Sequence, residues 1–452
     1  MGNTVIDRVK HTYHTGTTSV ITDGGAANKE TIPPQYEGAI RKNILGLNGT
    51  GASVYLESLT GRDGVNFPTA VTEIASTNPT ESRIVRLTDT TYVVIDLIAN
   101  TSLGAYAITI DGTTVTVGSL TAVSASDVDS TDLCRLSDTT FAVAYRDEAG
   151  DDYLAARIGT VSGTTITMGT EKELTAAALT EDELSICTPR NGVIAVTYAD
   201  ASDDLSSIAA AYTDTTISDP GTAVVVDTAA PTDNSCCRIE NGILFVAWSD
   251  AGGSMYGRCA TVSAAGAIGS YGTEKAIVAF IPTYINARYV EEDKVIIAYE
   301  DDANDPEAVI CTIAAGVVTT ITAGTAVNFL AGSVTDVGID MIDNLQGIIK
   351  WDDGTKGQCV RVALVAGVAD TTITADAVID NFVETASVGA GKGGIACATN
   401  GKCVIIYEDA DNDLGVKAGM YSENNIIDVR SATASIDYEF SVFPEWLEKV
   451  TY

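Results

Sequence analysis

The chain has 452 residues, with 61 acidic against 26 basic side chains, a formal net charge of −35 and a sequence pI near 4.1. An acidic excess of this size repels phosphate backbones, so nucleic acid is not expected as a partner. No apolar stretch is long enough to cross a bilayer as a helix, so membrane insertion by that route is not expected.

Residues 1–60 form an N-terminal arm without internal repetition. Its opening, MGNTVIDRVKHTYHTG, lacks the apolar core of an export signal, so synthesis without export by that route is expected. His11 and His14 are spaced as a metal half-site could be, but no acidic or cysteine partner is near, and they read as solvated. Phe67–Ile74 resembles the strand that ends later repeats (GTAVVVDT, GTAVNFLA), so residues 68–75 are expected to close a ring by pairing with the last repeat, near 393–435.

From there to about residue 435 one unit recurs. Its marker is an aromatic residue with an aspartate two positions later, closing an apolar run: Tyr145/Asp147, Tyr198/Asp200, Trp248/Asp250, Tyr299/Asp301, Trp351/Asp353 and Tyr407/Asp409. A worn seventh copy precedes them, with Asp96 in the aromatic position. Before the marker sits a turn, Asn191-Gly192, Asn241-Gly242 or Asn400-Gly401 in three copies, read as a type I′ hairpin because both central residues of that turn need φ > 0. After it comes an acidic turn such as EAGDD or DADND, where aspartates can bond the local backbone. A third strand and a Thr-Thr-Ile-Thr-like strand complete the unit, β-branched as a half-buried pleated surface prefers.

Four antiparallel strands in about fifty residues match one blade of a β-propeller. The marker strands FAVAYRD, IIAYED and VIIYED are apolar on both faces, as a blade sandwiched between two others requires. The predicted architecture is all-β: a seven-bladed propeller over 61–435, an extended arm before it and a short aromatic tail, 436–452, after it.

Candidate sites are few. Asp409, Asp411 and Asp413 place oxygens at alternating positions, as calcium loops do, and are the candidate metal ligands; the other reading is a solvated turn. No other cofactor is expected. Nine cysteines include Cys134, Cys187 and Cys237 at equivalent places on the innermost strands, read as small buried hydrophobes, and Cys397 and Cys403 flanking a turn. Arg86, Arg135 and Arg238 recur ten residues before the marker and read as structural repeats. With histidine confined to the arm and no sialidase box, no catalytic set can be assembled, and the chain is not expected to be an enzyme. Tyr438, Phe440, Phe443, Trp446 and Tyr452 crowd the tail, either as an interface or as a small core of its own.

The phrases VSGTTITMGT and DTTFAVAYRD resemble repeats of propeller or fibre proteins from the virions of tailed bacteriophages and related viruses. The resemblance covers about residues 82–435 and implies a multi-copy structural virion protein. It would be fastened to other virion proteins through 1–60 and 436–452. Two alternatives remain beside it: a glycan- or receptor-binding module for the host surface, and a carbohydrate-active propeller enzyme.

Overall fold

A computed structural model describes residues 28–30, 54–67, 72–75 and, apart from short loop segments, 79–431. The chain divides into two compact units, residues 65–421 and residues 1–64 with 422–452. In the latter, Asn28–Glu30 pairs antiparallel with the segment 427–429, Asn28 opposite Val429 and Glu30 opposite Ile427. The aromatic tail residues lie outside the described residues.

The unit 65–421 is all-β: seven antiparallel sheets, each a blade of a propeller. Blade 2 shows the plan. Val128–Arg135 is the first strand, Thr140–Asp147 the second and Tyr153–Ser162 the third. The outer strand is broken into Thr165–Met168 and Lys172–Thr175, both paired with the third. Blade 7 has Gly394–Cys397, Lys402–Glu408 and residues 414–421, and its outer position is taken by Thr72–Ala75, with Thr72 opposite Val416.

The marker is the pivot of every blade. It lies on the second strand, where Tyr145, Tyr198, Trp248, Tyr299, Trp351 and Tyr407 are all buried. Second strands such as Val193–Ala199 and Ile243–Asp250 have no exposed face. Burial on both sides is possible because each face of a blade packs on a neighbour. The apolar clusters accordingly fall between blades: Val93 with Tyr145 between the first two, Val246 and Trp248 with Ala195 between the third and fourth, and Ile348 with Tyr407 between the last two. The last cluster joins Val404 and Ile406 of blade 7 to Tyr92 and Val94 of blade 1, which closes the ring. Each such side chain contributes about 1.5–3 kcal/mol of burial that no isolated repeat could obtain.

Three of the markers have their polar ends satisfied locally, while Trp248 Nε1 is buried without a hydrogen-bond partner. Tyr145 donates to Glu171, Tyr299 Oη to Glu307 Oε2 at 2.9 Å, and Trp351 Nε1 to Gln358 Oε1 at 3.1 Å. The aspartate two residues on folds the next turn over itself. Asp200 Oδ1 accepts from the N–H of Ser202 at 2.8 Å, and Asp301 Oδ1 from Ala303 at 2.9 Å and Asp305 at 2.7 Å. The turn then passes through the left-handed region at Asp203, Gly253 and Asn304, the same place in three blades.

Two expectations change. The Asn191-Gly192 hairpin is not type I′: Gly192 has positive φ but Asn191 does not, while Asn241 and Asn400 lie outside the described residues. At Ala398–Lys402, Gly401 N–H bonds back to Ala398 O and Ala398 N–H to Lys402 O, a three-residue loop with one left-handed glycine. The break in the outer strand was also unforeseen. A glycine sits there, its N–H bonded to the third strand, as at Gly169 to Ile158 O and Gly221 to Ala209 O. The next blade's outer hairpin seats against it: a Cβ at Gly169 would stand 2.5 Å from Thr215 O, and one at Gly221 2.5 Å from Gly266 O.

Gly169→Val should therefore destabilise the ring by about 1–3 kcal/mol through overpacking against Thr215. A melting temperature equal to that of the parent chain would refute that reading of the glycine.

Candidate functional site

The first strands of all seven blades surround a hub cavity of about 780 Å³. A first strand has a sheet partner on one side only, so its other edge presents unpaired N–H groups to the hub. One register position, opposite the residue before the marker, holds Arg83, Asp132, Ser185, Ser235, Asn286, Gly338 and Gly394, and its acceptors Asp132, Ser185 and Ser235 answer this need.

Four of them, Asp132, Ser185, Ser235 and Asn286, reach forward to the next blade. Asp132 Oδ2 accepts from Ile186 N–H at 2.9 Å and from Ser185 Oγ at 3.2 Å. Ser185 Oγ accepts from Cys236 N–H at 3.1 Å, and Ser235 Oγ from Ala287 N–H at 3.0 Å. Asn286 Nδ2 donates to Val337 O at 2.9 Å. Elsewhere on the first strands Glu81 accepts from Thr131 N–H (3.1 Å), Asp233 from Ile285 N–H (2.8 Å) and Asp340 from Cys397 N–H (2.6 Å). The result is a hoop of side chain-to-backbone bonds around the hub.

Blade 6 varies the scheme with a buried ion pair. Lys350, on the second strand, donates to Asp336, which also accepts from Gly393 N–H at 2.8 Å. Gly338 gives the lysine its room, since a Cβ there would meet Lys350 Cε at 3.1 Å. Arg288 Nε stands 3.7 Å from Asp340 Oδ1.

The first strands run the same way along the hub, so their beginnings form one mouth and their ends the other. The first mouth is acidic, with Asp233, Glu300 and Asp336 lining it. Burial pushes the Glu300 and Asp336 carboxyls up, although the Lys350 ammonium opposes this at Asp336. Asp352, on the second strand beside them, is pushed up to about 6, chiefly by burial, with the Asp336 charge adding to it. The second mouth carries Arg86, Arg135 and Arg238, with Thr188, Tyr289 and Met341 in the other blades. The three arginines, read from the sequence as structural repeats, line this mouth.

The cysteines Cys134, Cys187 and Cys237 lie on first strands, and all nine are free and buried. Burial pushes the thiols of Cys134, Cys187 and Cys237 up, which leaves these three unreactive as thiolates. Cys397 and Cys403 are directly opposite one another across their hairpin. Of the calcium candidates, Asp409 and Asp411 lie outside the described residues, and Asp413 precedes the third strand of blade 7. Where the acidic turn is described, as at Asp301 and Asp353, its oxygens accept backbone N–H groups.

No family model matches the chain, and no curated protein matches it in sequence. In three dimensions it is similar to the BP39L lectin from Burkholderia pseudomallei, with a TM-score of 0.57 and 11% identity, over 79% of this chain and 100% of the lectin. The likeness is one of fold. Weaker likenesses are a lectin from Aleuria aurantia (TM-score 0.42, 12% identity, 71% of this chain and 99% of that one) and the WD40 domain of Toxoplasma gondii coronin (0.48, 9%, 89% and 91%).

Two outcomes follow from the hub. Asp132→Ala strands the Ile186 N–H and should cost about 1–3 kcal/mol in a denaturation experiment, whereas Asp132→Asn, whose amide oxygen still accepts, should cost less. Asp352 has a folded pKa above its unfolded one, so its stabilisation is complete below about pH 4 and is lost as pH rises through about 6. Asp352→Asn should therefore raise the melting temperature relative to the parent at pH 7.5 and lose that advantage at pH 4; a gap independent of pH would contradict it.

Proposed function

We propose that the protein is a non-catalytic carbohydrate-binding propeller. The reading is carried by the hub. Guanidinium, carboxylate, amide and hydroxyl groups from successive blades surround one cavity on a closed, rigid ring, with tyrosines at both ends. Sugars are recognised by such mixed donors and acceptors together with an aromatic face. A cavity of about 780 Å³ is in the range of small-ligand sites. The fold shared with a bacterial lectin supports the same reading. Against catalysis, three of the hub carboxylates, Asp132, Asp233 and Asp340, are engaged with backbone N–H groups of the next blade. A glycosidase needs its carboxyls free to exchange protons with substrate.

The full-length chain, labelled and applied to a glycan array, is expected to bind a defined subset of glycans and to release no reducing sugar from any of them. Absence of binding to every glycan on the array would remove the proposal, and release of reducing sugar would replace it with an enzymatic one.

A second reading assigns the protein to a virion as a multi-copy structural component, fastened to other virion proteins through its two ends and displaying the ring toward a host surface. Its supports are the resemblance of the repeat phrases and the pairing of segments near both ends, Asn28–Glu30 with 427–429, in a unit separate from the ring. Mass spectrometry of purified particles made with the full chain and with a chain lacking residues 1–60 tests it. Incorporation should be lost on truncation, and undiminished incorporation would count against attachment through the arm.

A further inference from the structure

In a chain of net charge −35, the mouth formed by the ends of the first strands is an exception. Arg86, Arg135 and Arg238 stand there at one register position, opposite Tyr92, Phe141 and Leu244. Tyr289 holds the same position in blade 5, opposite Val295. Among the hub's own carboxylates Asp340 acts on Arg86, but its charge is shared with Arg288 Nε at 3.7 Å. Asp132 and Asp340 accept N–H groups of the next blade, and Asp233 and Asp336 belong to the other mouth.

The arginines' charged partners are weak, and Arg135 is oriented by Nε donating to Leu87 O of the preceding blade at 2.9 Å. Arg86 pairs with Asp89 at 3.1 Å and Arg135 with Asp138, where the aspartates are 43% and 76% exposed. Such exposed pairs contribute about 0–1 kcal/mol and exchange readily for a better-placed carboxylate. Arg238 lies over the Tyr289 ring, 5.5 Å from its centroid, and forms no salt bridge among the described residues.

We propose that this mouth binds an acidic glycan, an oligouronate whose carboxylates meet Arg86, Arg135 and Arg238 and one of whose sugar faces lies on Tyr289. The inference deepens the carbohydrate-binding reading and rests on it. A guanidinium matches a planar carboxylate through paired N–H donors, and Asp89 and Asp138 already occupy two of the three as local stand-ins. The overall negative charge does not forbid approach, because at physiological salt repulsion from distant carboxylates is screened beyond about 8 Å. Guanidinium groups in direct contact are not screened in this way. The opposite mouth, lined by Asp233, Glu300 and Asp336 with Lys350 held by Asp336, presents carboxyl rather than guanidinium groups to the same ligand, so binding is one-sided.

Isothermal titration of the full-length chain with tri-galacturonate and with its methyl ester tests this directly, because the two probes differ only in charge. The acid form should bind at least tenfold more tightly than the ester, and its affinity should fall as salt is raised from 0.05 to 0.5 M. The Arg135→Gln/Arg238→Gln double variant should lose tenfold or more at an unchanged melting temperature. Should that variant fail to fold, the comparison of acid with ester on the parent chain still decides. Equal binding of the two forms, or equal binding by the folded variant, overturns the inference, and so does complete displacement by equimolar inorganic phosphate, which would assign the ring to a free anion. A neutral glycan bound alike by parent and variant would overturn it while leaving the carbohydrate-binding reading in place; failure of every glycan would remove both.

Discussion

The structure depends on how seven inner strand edges are satisfied. Each first strand has a sheet partner on one side only, and its free N–H groups face the hub or the next blade. An unpaired buried N–H costs about 1–3 kcal/mol, so leaving several in each blade would cancel much of the burial gained between blades. The chain meets this need with short side chains on the preceding first strand: Asp132 for Ile186, Ser185 for Cys236, Ser235 for Ala287 and Asp340 for Cys397. The acceptors must be short, because the neighbouring strand lies close. They also point forward around the ring, so each blade positions the next.

Further from the hub the direction reverses. Arg157 and Arg258, on third strands, donate to Val123 O and Val226 O of the preceding blade, and Lys417 Nζ to Phe382 O at 2.7 Å. At the rim, glycines such as Gly169 and Gly221 admit the following blade's hairpin. Between these lie the aromatic and aliphatic clusters that hold the faces together. A ring so constrained is a rigid frame, and the hub chemistry is consequently held in place at no further entropic expense when a ligand enters.

Much of the architecture was legible. A spacing near fifty residues, an aromatic-x-Asp marker and a strand apolar on both faces together demand blades stacked on two sides, and the seven sheets follow. The acidic turns were legible as backbone-bonding turns because aspartate at their head has a local role that Asp200 and Asp301 perform. At Asn191-Gly192 the hairpin type was misread, since Asn-Gly also suits a turn in which the glycine alone takes positive φ. The hoop was missed although a signal existed: Asp132, Ser185, Ser235 and Asn286 lie thirteen residues before their markers, where an innermost strand was already expected. Polar residues recurring in a strand that should be buried call for a partner outside their own sheet.

From the amino-acid order alone came the repeat, its strands and the number of blades, because side-chain periodicity and turn chemistry act over a few neighbours. Which residues meet around the hub was decided only by closure of the ring. Arg86, Arg135 and Arg238 are about fifty to a hundred and fifty residues apart in the chain, and Asp336 is paired with a lysine that Gly338 makes room for. The charge of a mouth is a sum over seven strands brought to one axis. It exists only when all seven are in place, and no local stretch of chain carries it.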